Sequence, residues 1–198
     1  LVEGLKKNQQ GRICLYGPPG TGKTTFGHEV ATQLDKKLLV KRASDILSMY
    51  VGGSEKNIAS MFEEAKQDNS LLLLDEADSF LRDRKGANRS WEVTQVNELL
   101  TQMETFEGIF ICSTNLIDDL DEASIRRFDL KIKLDYMLPE QAFSLFRQLI
   151  KEHNKSFTKQ AYWQRKLSAY PNLTPGDFAT IVRQNRLSAK GLTPDVLL

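Results

Sequence analysis

Apolar positions in this chain alternate between compact runs and stretches with helical spacing as far as Pro139. Gly11 to Tyr16, Ser70 to Leu74 and Gly108 to Ser113 each carry an apolar run, as buried strands require, and Lys37 to Arg42 with Leu38-Leu39-Val40 reads as a further strand. Between them, Thr25 to Leu34 sets Phe26, Val30 and Leu34 four residues apart on one helical face. The segment from Ser54 to about Lys66 does the same with Ile58, Met61, Phe62 and Ala65, and Ser54 is placed to cap it. Trp91 to Glu104 carries Val96, Leu99, Leu100 and Met103. Leu1 to Gln10 and Ser44 to Met49 predict shorter helices, and Asp118 to Asp121 opens a short helical piece holding Arg126 and Arg127. Leu130 to Leu134 alternates Leu, Lys, Ile, Lys and Leu, the pattern of an edge strand.

Strands alternating with helices predict an α/β fold with a parallel sheet flanked by helices. After Pro139 the pattern changes. Glu140 to Glu152, Lys159 to Ala169 and Gly176 to Ala189 read as helices with no further strand. The expected division is therefore a large α/β domain over 1–138 and a small all-α domain over 139–198.

The nucleotide expectation rests on Gly17-Pro18-Pro19-Gly20-Thr21-Gly22-Lys23-Thr24, which satisfies the phosphate-loop pattern of P-loop NTPases. Gly17, Gly20 and Gly22 let the backbone curl against a phosphate, and the N-terminus of the following helix, with Thr25 in its first turn, favours an anion. Lys23 supplies charge for the β- and γ-phosphates, and the Thr24 hydroxyl is a candidate Mg²⁺ ligand. A strand before the loop and a helix after it give the motif its required setting.

A second motif completes the chemistry. Leu71 to Leu74 delivers Asp75-Glu76 at the C-terminal end of a predicted strand, where open α/β sheets bind their ligands. Asp75 is the second candidate for Mg²⁺, and Glu76 can orient or deprotonate a water attacking the γ-phosphate.

With these motifs the chain resembles the AAA family of ATPases over nearly its whole length. Val96 to Glu104 resembles the helix before sensor 1, and Phe110 to Asn115 resembles the sensor 1 strand. The resemblance makes Asn115 the residue that positions the attacking water. Leu120 through Asp129 resembles the second region of homology, whose arginines act on a neighbouring subunit's nucleotide; Arg126 and Arg127 are the positions here. Many members carry Arg-x-Gly-Arg-Phe, whereas this chain has Arg126-Arg127-Phe128, so both arginines remain candidates. Thr174-Pro175-Gly176-Asp177 resembles the sensor 2 position, with Gly176 expected to face the nucleotide, and the all-α segment becomes a lid. The upstream segment that commonly lines the adenine pocket is expected to be absent or shortened. Tyr50-Val51-Gly52 resembles the pore loop of protein unfoldases, where an exposed aromatic grips a threaded polypeptide. The basic stretch from Arg82 to Arg89 is either a second pore loop or a solvated turn.

Bulk properties narrow the partners. A net charge of +1 gives no electrostatic reason for a nucleic-acid or membrane partner. No apolar run is long enough to span a bilayer and no signal-peptide layout opens the chain, so a cytoplasmic location is expected. Cys14 and Cys112 lie within apolar runs and are expected as buried thiols, neither disulfide nor metal ligands. His28 and His153 lie far apart and make poor metal ligands. The chain opens at Leu1 and reaches the phosphate loop within a few residues, as expected of a piece of a longer protein.

The expected function is Mg²⁺-dependent ATP hydrolysis in a homo-oligomer, a hexameric ring, that remodels, unfolds or translocates a protein substrate. A nucleic-acid motor is one alternative, weighed down by the near-zero net charge. A nucleotide-regulated scaffold with little turnover is another, weighed down by Lys23, Asp75, Glu76 and Asn115. Asp75 to Asp78 also spells the helicase DEAD motif, but Ser113-Thr114-Asn115 stands where those helicases carry Ser-Ala-Thr.

Overall fold

The computed structural model describes residues 1–48, 50, 52–81, 90–116, 121–153, 158–188 and 192–197. The described residues form two compact units, Leu1–Gly17 with Lys23–Leu134, and Pro18–Gly22 with Asp135–Leu198.

In the first unit, α1 (Val2–Asn8) leads into β1 (Gly11–Tyr16), then α2 (Lys23–Gln33), β2 (Leu38–Arg42), α3 (Ala43–Ile46) and α4 (Gly53–Gln67). There follow β3 (Leu71–Asp75), α5 (Asp78–Leu81), α6 (Ser90–Thr105), β4 (Ile109–Thr114), α7 (Glu122–Ile125) and β5 (Leu130–Lys133). The five strands make one sheet in the order β2-β3-β4-β1-β5, and every neighbouring pair is parallel. This is the P-loop NTPase arrangement that the strand–helix alternation predicts.

The continuous apolar runs are explained by the two faces they supply. Leu72, Leu74, Phe110, Cys112 and Cys14 point into one core, beside Ile58, Met61 and Phe62 of α4 and Leu99 and Met103 of α6. Their alternates Leu71, Leu73, Ile109, Ile111, Ile13 and Leu15 point into the other, beside Leu5, Val30 and Ala31. Leu71 to Leu74 are all fully buried. Each such leucine contributes about 1.5–3 kcal/mol relative to exposure. Gly27 lets α2 lie close on this face, since a Cβ there would stand 3.0 Å from Leu73 Cδ2.

In the second unit, α8 (Pro139–Glu152), α9 (Gln160–Ser168) and α10 (Pro175–Ser188) bury Phe146, Ile150, Trp163, Leu167 and Phe178 together. Among the described residues, no helix is long and apolar enough to cross a membrane.

Several boundaries differ from expectation. α4 starts at Gly53 with Gly52 as its N-cap, at φ 75°, so Ser54 lies inside the first turn and does not cap. Its buried hydroxyl instead accepts from the Ser48 amide at 2.9 Å and Gln95 Nε2 at 3.1 Å. α3 stops at Ile46 because Leu47 turns extended. α7 ends at Ile125, leaving Arg126 and Arg127 in the turn beyond it. Met49, Val51, Arg82 to Arg89 and Asp118 lie outside the described residues.

Candidate active site

Strand register decides which residues share an edge. Tyr16 pairs with Thr114 and Leu74 with Cys112, so the end of β1, Asp75 and Ser113-Thr114 come to the same C-terminal edge of the sheet.

The phosphate loop leaves β1 at Gly17, with φ 137° and no room for a side chain, because a Cβ would overlap the Leu134 carbonyl oxygen. Lys23 opens α2 and is 7% exposed, its ammonium donating to the Gly17 carbonyl at 2.8 Å. Burial lowers the Lys23 pKa, while Asp75 and Asp78 act to raise it. That field is positive charge held ready in a poorly solvated place, where a phosphate would find it least screened. Thr25 is exposed on the same turn.

Within the second unit, Thr21 donates to the Pro18 carbonyl at 2.9 Å, and the Gly176 amide donates to the Gly20 carbonyl at 2.9 Å. A Cβ on Gly176 would stand 2.8 Å from Gly20 Cα, so only glycine lets this backbone approach the loop. The structure thus sets Gly176 against Gly20; Pro19 is exposed beside it. Thr174 precedes α10, and its amide and hydroxyl each donate to Asp177 at 2.8 Å. Asp177 returns its amide to the Thr174 hydroxyl at 3.3 Å, closing a capping box that the spacing Thr-x-x-Asp could have disclosed.

Asp75 is the junction of the sheet-borne half. Its Oδ2 accepts the Thr24 hydroxyl at 2.7 Å, and its Oδ1 accepts both the Ser113 hydroxyl and the Glu76 amide. A hydroxyl and a carboxylate in contact are hard oxygen donors, the set that fits Mg²⁺, which keeps most of its own waters. Among the described residues no group of three or more His, Cys, Asp or Glu stands together to hold a metal. Glu76 follows with φ 56°, left-handed and exposed. Such backbone costs a non-glycine residue about 1–3 kcal/mol and tends to persist where function holds it.

Asn115 is steered from below. The Asp78 carboxylate accepts the Asn115 amide at 2.8 Å and also the Thr114 hydroxyl, which itself accepts the Leu116 amide at 3.1 Å. Asp78, Ser113 and Thr114 therefore lie with Asp75 and Asn115 at the sheet edge; the sequence carries them inside recognised stretches, the Asp75 to Asp78 run and the sensor 1-like strand, without assigning them a role.

Arg126 and Arg127 are elsewhere. The Asp129 amide donates to the Arg12 carbonyl at 2.9 Å, which ties this segment to the N-terminal end of β1. From Arg12 to Gly17 a strand advances about 17 Å. Both arginines are exposed, and Arg127 Nε pairs with Glu104 at the end of α6. A cavity of about 740 Å³ lies at this N-terminal edge, lined by Leu5, Gly11, Arg12, Glu104, Phe106 and Asp129 among others. It is at the end of the sheet opposite Asp75 and is not the phosphate site. Tyr50 is 80% exposed, its amide held by the Ser48 hydroxyl at 3.2 Å and its carbonyl by the Gly53 amide at 3.0 Å.

Comparison with known proteins agrees with this geometry. The family model of the ATPase family associated with various cellular activities (AAA) matches residues 13–136. The peroxisomal ATPase pex6 of Schizosaccharomyces pombe is 32% identical over 199 residues, covering 94% of this chain and 21% of that protein. The ATP-dependent zinc metalloprotease FtsH of a Synechococcus strain is 31% identical over 190 residues, covering 89% of this chain and 29% of that protein. The 26S proteasome subunit RPT4 of Saccharomyces cerevisiae is 34% identical over 155 residues, covering 74% and 35%. The chain thus spans between a fifth and about a third of the length of these relatives. With its family match covering the sheet, the phosphate loop and the acidic strand end, the chain belongs to the AAA family of ATPases.

Proposed function

We propose that this chain binds ATP with Mg²⁺, hydrolyses it in a homo-oligomeric, hexameric ring and uses the energy to remodel, unfold or translocate a protein substrate through a central pore. The observation that carries the catalytic part is the double brace at the sheet edge, Thr24 to Asp75 at 2.7 Å and Asp78 to the Asn115 amide at 2.8 Å. Lys23 binds the β- and γ-phosphates. Thr24 and Asp75 hold Mg²⁺, which would supply positive charge to the phosphate oxygens. Glu76 takes a proton from the attacking water, whose oxygen bonds to the γ-phosphorus as the bond to the ADP oxygen breaks; Asn115 orients that water. Gly17 to Gly22 and Thr25 bind the triphosphate through backbone and hydroxyl donors, with Gly176 beside Gly20.

The separation of Arg126 and Arg127 from their own Lys23 by a strand's length supports their acting on a neighbouring copy's nucleotide, where a guanidinium offsets transition-state charge. The exposed Tyr50 ring supports the pore role. Relatives named as a proteasome subunit and as an ATP-dependent metalloprotease favour protein over nucleic acid as the substrate, as does the net charge of +1. A cytoplasmic location fits the same reading.

The test is light scattering and ATPase assay of the full-length protein carrying Glu76→Gln. ATP should drive assembly into a stable oligomer whose turnover has fallen by at least about 100-fold. Hydrolysis at the wild-type rate, or a monomer at saturating ATP, would sink the reading.

A further inference from the structure

The turn bearing Arg126 and Arg127 is anchored on both sides. Upstream, buried Ser124 donates its amide at 2.8 Å and its hydroxyl at 2.6 Å to Asp121, whose own amide donates to the Leu81 carbonyl at 2.8 Å. Downstream, Phe128 is 2% exposed and stacks on Phe110, with ring centroids 6.3 Å apart. Next comes Asp129, joined to Arg12 by four hydrogen bonds. The Arg12 amide, Nε and Nη2 donate to the Asp129 carboxylate at 2.8, 3.1 and 3.0 Å, and the Asp129 amide donates to the Arg12 carbonyl at 2.9 Å. The fork is bidentate, the geometry that fixes direction as well as distance.

This pair adds little stability. Its side chains are 32% and 51% exposed, and solvent-exposed ion pairs contribute about 0–1 kcal/mol. It also borders the 740 Å³ cavity at the N-terminal edge. A contact that adds little stability but fixes direction through several bonds is suited to aiming something. Exposed cations flank Asp129 on both sides: Arg127 and Arg126 two and three residues upstream in the turn, and Lys131 two residues downstream on β5.

We propose that Arg12 is a positioning residue: through its bidentate grip on Asp129 it aims the Arg126-Arg127 turn at the nucleotide of the neighbouring subunit. This rests on the reading that those arginines act in trans. Arg12 touches no nucleotide itself. Glu104, which pairs with Arg127, holds the other flank of the same cluster.

The experiment uses the full-length protein with Arg12→Met, Arg12→Lys and Asp129→Asn. Arg12→Met and Asp129→Asn should lower kcat about tenfold or more with KM for ATP nearly unchanged, because distant misplacement costs rate rather than ground-state binding. Arg12→Lys should keep the charge, lose the fork and fall between. Co-assembly separates the two readings. Glu76→Gln subunits carry intact arginines but a dead site. Mixed with Arg126→Ala/Arg127→Ala subunits they should restore turnover; failure removes the trans reading and the proposal with it. Mixed with Arg12→Met subunits they should restore turnover equally. If the arginine variant is complemented and Arg12→Met is not, or if Arg12→Met and Asp129→Asn turn over at the wild-type rate, the positioning role of Arg12 is overturned while the trans reading stands.

Discussion

Thr24 donates its hydroxyl to Asp75 across 2.7 Å, joining the first turn of α2 to the end of β3 over 51 residues of sequence. The contact places the two candidate Mg²⁺ ligands, both hard oxygen donors, side by side. Thr24→Val and Asp75→Asn should therefore each lower affinity for Mg²⁺–ATP, by about 10- to 100-fold. Affinity for metal-free ATP should change much less. A fluorescent ATP analogue titrated with Mg²⁺ and then with EDTA reads both. Wild-type Mg²⁺ dependence in both variants would remove the pair from the metal site.

Asp78 braces Thr114 and the Asn115 backbone, and its charge is also felt at Lys23. Asp78→Ala should lower kcat by up to about 100-fold with a much smaller change in KM for ATP, since it disturbs the aim of Asn115 directly and Lys23 only through charge. An equal rise in KM would mean that Asp78 supports nucleotide binding instead.

Tyr50 combines an exposed ring with a backbone tied at both its amide and its carbonyl. Tyr50→Ala should leave ATPase activity intact and abolish work on a protein substrate, whereas Tyr50→Phe should retain both. Unimpaired remodelling by the alanine variant would dismiss the grip.

Cys14 and Cys112 are register partners on β1 and β4, and burial pushes the Cys14 thiol up to about 12 and Cys112 well above its ordinary value. A folded pKa raised above the unfolded one means that the stability contribution is complete below about 9 and lost as pH rises from there. At pH 8 a maleimide should leave both cysteines unlabelled in the native protein and label both in denaturant, as peptide mass spectrometry reads. Thermal midpoints should decline above pH 9. Fast native labelling at either cysteine would contradict its burial.

The strands were legible because Leu71 to Leu74 and Ile109 to Cys112 have no polar face to disguise them, and the motif glycines announce the loop between β1 and α2. Periodicity reports which face a residue lies on, and it is silent about partners. Ser54 looked like a helix cap from its place after Gly52-Gly53, yet a buried demand from Ser48 and Gln95 claimed its hydroxyl. Asp78 looked like the tail of an acidic strand end, and its role depends on a neighbour strand 36 residues later. Arg12 and Asp129, 117 residues apart, carry no local pattern at all. The arginines were visible as a resemblance, but their distance from Lys23 emerges only when β5 is laid beside β1.

The strand order leaves β2 and β5 at the two margins of the sheet. β2 ends in Lys41-Arg42, and β5 carries Lys131 and Lys133 exposed on either side of Ile132. Lysines at sheet margins oppose the addition of a further strand, because two such margins brought together would repel and bury charge. Copies of this chain are thereby steered away from fusing their sheets into a continuous ribbon, which leaves side-chain surfaces for any contact between them.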